Sequence, residues 1–207
     1  MESAQPFDLI VGEGNEQRRI ATLRRIGKAP GLFWLGGFRS EMTGAKASRI
    51  DAFGAAHGLA VTRFDYSGHG ASGGDFLEGT ISRWLEEALA VFGTTRGEQV
   101  VIGSSMGGWL ALLLARALRQ RGEGRIKALI LIAPAVDMTE ELMAAKFTAA
   151  ESEAMHRHGV VEQPSEYSDE PYPITYRLIA DGRQHLMLGA PIETGWPVTI
   201  LQGALDP

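Results

Sequence analysis

The stretch VVIGSSMGGWLALLLARAL, Val100–Leu118, constrains this chain more than any other. Apolar, largely β-branched residues run into Gly103-Ser104-Ser105-Met106-Gly107-Gly108, and leucines and alanines follow. That order predicts a strand, a sharp turn and a helix. Ser105 has glycine at −2 and at +2. A serine on so tight a turn takes strained backbone angles, and only small neighbours leave room for it. The helix N-terminus behind it offers free N–H groups and the positive end of a dipole to a developing oxyanion. This is the setting of a nucleophilic serine. A structural turn is the competing reading, because glycine and serine are ordinary turn residues. Ser104 lacks the glycine at −2. A second Gly-x-Ser-x-Gly match, Gly70-Ala71-Ser72-Gly73-Gly74, is not followed at once by a helix, so Ser72 reads as structural.

The flanking pattern repeats strand and helix at short intervals. Phe7–Val11 and Arg19–Arg25 read as an antiparallel pair, and Gly31–Leu35 as a short apolar strand. Thr43–His57 has helical periodicity and ends at Gly58. Leu59–Phe64 is a strand and Asp65–Gly74 a turn-rich segment. Ile81–Phe92 carries Trp84, Leu85, Ala88, Leu89 and Phe92 on one helical face. Gln99–Ile102, Met106–Arg121 and Ile126–Ile132 continue the alternation. Met138–His158 reads as helix, Gln163–Tyr172 as loop, Ile174–Met187 as helix and Val198–Leu201 as a last apolar strand. The expected fold is a mainly parallel sheet covered on both faces, in one domain over residues 1–207. Sites in such sheets lie beyond the carboxyl ends of strands. Gly36–Arg39, Asp65–Gly74, Ser105, Asp137 and Asp206 all fall there.

Composition excludes several classes. The net charge is −5, which argues against a nucleic-acid partner. There is no cysteine, hence no disulfide, thiolate metal site or cysteine nucleophile. The opening MESAQPFDLI lacks a basic region followed by an apolar core, and no apolar run reaches membrane-spanning length. A cytoplasmic location is the resulting expectation.

A tetrahedral intermediate needs two donors. One is the Met106 N–H, next to the nucleophile. The other belongs to the loop after GLFWL, where Gly36-Gly37-Phe38 offers the Phe38 N–H first and Arg39 second. The glycines there also serve simply to turn the chain.

Taken together these residues resemble an α/β-hydrolase. FWLGGFRSEMTGAKASRIDAFGAAHGLAVTRFDYSGHGASGG, ISRWLEEAL, VVIGSSMGGWLALLLA, IKALILIAPAVDM and PYPITYRLIADGRQHLML are similar to one branch of that fold. It is the branch of the mitochondrial palmitoyl-protein thioesterase, also described as an acyl-glucuronide esterase, and its bacterial relatives. The resemblance implies a serine hydrolase acting on acyl esters or thioesters without metal or organic cofactor. By position Ser105 matches the nucleophile, and Asp206 in ILQGALDP matches the triad acid. A carboxylate beyond a late strand agrees with the chain order of this fold. Asp137 is the second candidate, though DMTEE also reads as a helix N-cap with acids in the first turn.

That order places the catalytic histidine after the acid. None of the five histidines, His57, His69, His156, His158 and His185, follows Asp206. His69, in the YSGHG turn, reads as structural. The expectation is therefore a hydrolase lacking its last strand and closing helix, with its histidine beyond residue 207. Such a polypeptide turns over poorly and exposes the edge of Val198–Leu201.

About 65 residues separate the last two strands, more than a single crossover needs. Met138–Gly195 is read as a cap over Ser105. Met138, Leu142, Met143, Phe147 and Met155 offer soft apolar surface for an acyl chain or pack the cap's own core. Arg39 is placed to meet an acidic leaving group or to pair with a surface acid. The alternatives are a non-catalytic binding protein of the same fold and an acyltransferase. An epoxide hydrolase or dehalogenase would carry Asp at position 105.

Overall fold

The computed structural model describes residues 3–164, 171–204 and 206. Its centre is a 7-stranded sheet in the order β1-β2-β4-β3-β5-β6-β9. Two antiparallel pairings open it, β1 (Gln5–Val11) on β2 (Arg18–Arg25) and β2 on β4 (Leu59–Phe64). The pairings of β4 with β3 (Lys28–Leu35), β3 with β5 (Gln99–Ser104), β5 with β6 (Ile126–Ile132) and β6 with β9 (Val198–Leu201) are parallel. This is the mainly parallel sheet expected from the alternation of strands and helices.

Parallel strands need crossover helices, and the helices bury both faces. α1 (Ala45–His57) covers a small cluster of Leu32, Trp34, Ala47, Val61 and Ile102. It ends where Gly58 turns left-handed at φ 65. α2 (Ile81–Gly93) and α3 (Met106–Gln120) cover the other face. There Phe33, Phe64, Trp84, Phe92 and Trp109 form the bulk of the core. α2 begins at Thr80, whose hydroxyl accepts the Arg83 N–H, and its stripe buries Trp84, Ala88, Val91 and Phe92.

Between β6 and β9 the structure departs from the expected helices. The stretch 138–158 is broken. A single π-turn, Thr139–Met143, and a 3-10 turn, Ala144–Lys146, precede α4 (Ala149–His158). The break comes where Thr148 forms a capping box with Glu151, a start signal inside what periodicity reads as one helix. Two short strands flank the segment read as loop, whose described residues 164 and 171 have no regular structure. β7 (Val160–Gln163) pairs antiparallel with β8 (Tyr172–Thr175), while 165–170 lie outside the described residues. The last expected helix is shorter, α5 (Tyr176–Gly182), capped by the Thr175 hydroxyl and followed by a 3-10 turn. β9 pairs with β6, and its Ile200 and Leu201 are exposed. Among the described residues no helix is long and apolar enough to cross a membrane.

One charged pair is embedded in this frame. Arg18 on β2 bonds Glu87 on α2, whose side chain is wholly buried. Glu87 also accepts the Ser67 N–H at 2.9 Å. Removing one member of a buried pair leaves the other charge desolvated. Glu87→Ala is expected to cost roughly 3 kcal/mol in urea unfolding. A loss under about 1 kcal/mol would show that the half-exposed Glu86, Arg18's other acidic partner, suffices on its own.

Candidate active site

The site forms where β5 ends. Ser105 sits at φ 53, ψ −121, as the N-cap of α3. This backbone region disfavours any side chain, so the surroundings must impose it. They do so by close approach. A Cβ on Gly103 would strike the Gly107 carbonyl, and one on Gly107 would strike the Leu35 carbonyl of β3. A Cβ on Gly108 would meet Pro134. The three elements thus touch through backbone. The elbow is tied to the loop after β6 by Ser105 N–H to Ile132 O (3.0 Å) and Ala135 N–H to Ser105 O (3.1 Å).

Strain gathers along this edge. Among the described residues the non-glycine positions with positive φ are Arg39, Ser105, Ala133 and Asp137. All four follow the carboxyl ends of β3, β5 or β6. Four such residues on one rim point to a working site.

The loop after β3 passes Ser105 at Gly37. A Cβ built there would lie 3.4 Å from the Ser105 Cβ and 3.3 Å from the Ser104 carbonyl oxygen. Phe38 comes next, half-buried against Phe76, Trp84 and Tyr172. Its N–H donates to no acceptor among the described residues. The Met106 N–H, at the first position of α3, precedes the intrahelical ladder. Arg39, at φ 56, donates its N–H to His69 Nε2 at 3.1 Å. Its guanidinium reaches the Pro171 carbonyl at 3.4 Å, joining the loop to the β7–β8 region.

The segment Asp65–Gly74 holds that loop from beneath. The Asp65 carboxylate accepts the N–H of Met42 (2.6 Å) and of Ala71 (2.8 Å). Burial pushes this carboxyl up, against the pull of those two bonds. Ser72 donates to the Asp65 carbonyl and accepts the Ala21 N–H, so its hydroxyl is structural. Sequence reasoning passed over the parts played by Asp65 and His69. The usable signal was glycine. Gly68 and Gly70 bracket His69 at φ 73 and 45, backbone conformations that glycine adopts without the strain a Cβ brings.

Asp206 lies in the exposed turn after β9, at the same sheet edge as Ser105. Its carboxylate accepts the Gly203 N–H at 2.9 Å. Asp137 is not the N-cap read from DMTEE. At φ 56 it turns back, and its buried carboxylate takes the N–H of Met187 (2.9 Å) and Leu188 (2.8 Å). It clamps the far end of the insertion. The apolar residues expected to face an acyl chain separate. Met138, Met143 and Met155 are buried in the main core, while Leu142 is exposed. Met138 therefore is a packing residue.

No histidine bonds the Ser105 hydroxyl among the described residues. His57 stacks on Phe53, His156 and His158 are exposed at the end of α4, and His185 sits 2.7 Å from the Ser82 hydroxyl. His69 is 4% exposed and packs beside Phe38, Tyr66, Phe76 and Trp84. Burial pushes its pKa down to about 4. The unfolded chain protonates near pH 6.5, so it binds more protons than the native state between about pH 6.5 and 4. His69 thus stabilises the fold fully above that window and loses its contribution as pH falls through it. Wild type should lose ~3 kcal/mol more than His69→Gln between pH 7 and 4. Parallel stability curves from denaturant titrations would contradict this.

Comparison with known proteins fits this geometry. A family profile described as serine aminopeptidase, S33, matches residues 42–177. The mitochondrial palmitoyl-protein thioesterase ABHD10 of Bos taurus is 37% identical over 191 residues, 90% of this chain and 60% of that protein. The chain therefore spans about 60% of the length of that curated relative. A solved structure from Agrobacterium vitis S4 superposes with a TM-score of 0.95 at 44% identity, covering 100% of this chain and 81% of that one. Mouse alpha/beta hydrolase domain-containing protein 10 superposes with a TM-score of 0.83 at 33% identity, covering 98% and 78%. The curated relative is named as mitochondrial, which lends no support to a cytoplasmic expectation. This chain belongs to the serine aminopeptidase S33 family of α/β-hydrolases.

Proposed function

We propose that this chain carries the nucleophile half of an acyl esterase or thioesterase that works through an acyl-enzyme on Ser105. The backbone of Ser105 carries the reading: φ 53, ψ −121 at the head of α3, with the Gly37 loop against it. A binding protein has no use for that strain, which costs on the order of 1–3 kcal/mol.

Ser105 Oγ attacks the acyl carbonyl carbon, and its proton passes to a histidine base. The N–H groups of Phe38 and Met106 face the carbonyl oxygen as it becomes an oxyanion. The tetrahedral adduct collapses, and the base returns the proton to the departing alcohol or thiol. Water, deprotonated by the same base, then releases the acid and restores Ser105. Asp206 orients the base. Chain order in this fold puts the base at a histidine following the acid. Residues 138–195 act as a cap, with Tyr172 resting on Phe38, 5.7 Å between ring centroids. The name of the thioesterase relatives favours an acyl thioester over an oxygen ester.

A fluorophosphonate probe followed by peptide mass spectrometry tests this. Labelling at Ser105 is expected in the full reading frame, and its loss in Ser105→Ala. Acyl-thioester hydrolysis should fall by at least about 10³-fold in that variant. Labelling of the 207-residue chain alone would place the base among its own histidines. A folded full-length protein that neither labels nor hydrolyses would favour a binding role.

A further inference from the structure

The serine mechanism depends on where the Phe38 N–H points. The Phe38 ring packs against Phe76, Trp84 and Tyr172, and the peptide that follows it is held as well. Arg39 stands at φ 56 without being glycine, so its conformation must be held from outside. The group that reaches its N–H is His69 Nε2, at 3.1 Å. The other ring nitrogen, Nδ1, lies 3.1 Å from the Ser67 carbonyl oxygen. A carbonyl only accepts, so Nδ1 carries the hydrogen and Nε2 presents its lone pair to Arg39. The ring cannot swing away, because it is packed edge-on to Trp84 and Phe76. Ser67 is fixed in turn: its N–H is held by Glu87 and its carbonyl by Trp84 Nε1 at 3.2 Å. A continuous line of bonds thus runs from the buried Arg18–Glu87 pair, through Ser67 and His69, to the peptide beside the oxyanion donor.

We propose that His69 is a positioning residue for the oxyanion loop, holding the Arg39 peptide so that the Phe38 N–H faces the reacting carbonyl. This rests on the serine-hydrolase reading of Ser105. His69 does not touch substrate and does not serve as the base, since both of its nitrogens are committed to backbone.

Two variants separate the two bonds. In His69→Gln the side-chain oxygen reaches the place of Nε2 and can still accept from Arg39. In His69→Asn the amide can meet Ser67 but falls short of Arg39. In the full reading frame, kcat for an acyl thioester should fall roughly 10- to 100-fold in His69→Asn with KM within about 2-fold. His69→Gln should recover most of that loss. A purely structural role would lower the melting midpoint of both variants and leave kcat per folded molecule unchanged, and that result overturns the proposal. Wild type alone gives a second test. A through-hydrogen-bond nitrogen–nitrogen coupling between Arg39 N and His69 Nε2 is expected in ¹⁵N NMR, whether or not a variant folds. Its absence overturns the proposal. If the coupling is present and wild type neither labels nor hydrolyses, the anchoring of the loop stands and the serine-hydrolase reading fails.

Discussion

Three backbones meet at Ser105 with no side chain between them, and the site depends on that contact. β5 approaches the first turn of α3 at Gly103 and Gly107, and Gly107 lies against the carbonyls of Leu35 and Gly36 at the end of β3. Any Cβ at these glycines would push the elements apart. The closeness turns Ser105 outward at positive φ and brings the Gly37 loop alongside it. The proposed nucleophile and the loop beside it are therefore two results of one packing constraint. The Met106 N–H is free for the same reason, since it opens the helix that the turn starts.

The second constraint is electrostatic and lies behind the first. A loop carrying a non-glycine residue at positive φ needs outside support. Here that support is polar and buried. Asp65 grips Met42, His69 grips Arg39, and Glu87 grips Ser67. A buried carboxylate is costly unless its lone pairs are filled, and each of these is filled by backbone N–H groups or by Arg18. Groups paid for in this way hold position well, because letting go leaves them unsatisfied in a dry interior. Aromatic residues pack around His69 and bury it.

The core of the sheet was legible because its signals are local and repeated. β-branched runs, helical stripes and glycine stops lie close together in sequence, and β4, β6 and β9 fall where periodicity puts them. The insertion between β6 and β9 was less legible. Met138–His158 has helical composition throughout, yet Thr148 and Glu151 restart the helix inside it. The methionines there are open to two readings, substrate-facing surface or packing within the cap, and Met138, Met143 and Met155 join the main core. Apolar character says that a side chain will be covered. It does not say by what.

The sequence by itself determined the elbow, the parallel sheet and the edge where the loops gather. Each of these follows from residues adjacent in the chain, where glycine size and apolar spacing act at short range. Only the tertiary structure decided what the buried polar residues hold. Asp137, read as the second candidate for the triad acid or as a helix cap, clamps Met187 and Leu188 fifty residues later. His69, read as a turn residue, reaches the Arg39 peptide thirty residues earlier. A hydrogen bond needs its partners within about 3 Å, and for residues so far apart only the folded chain brings them that close.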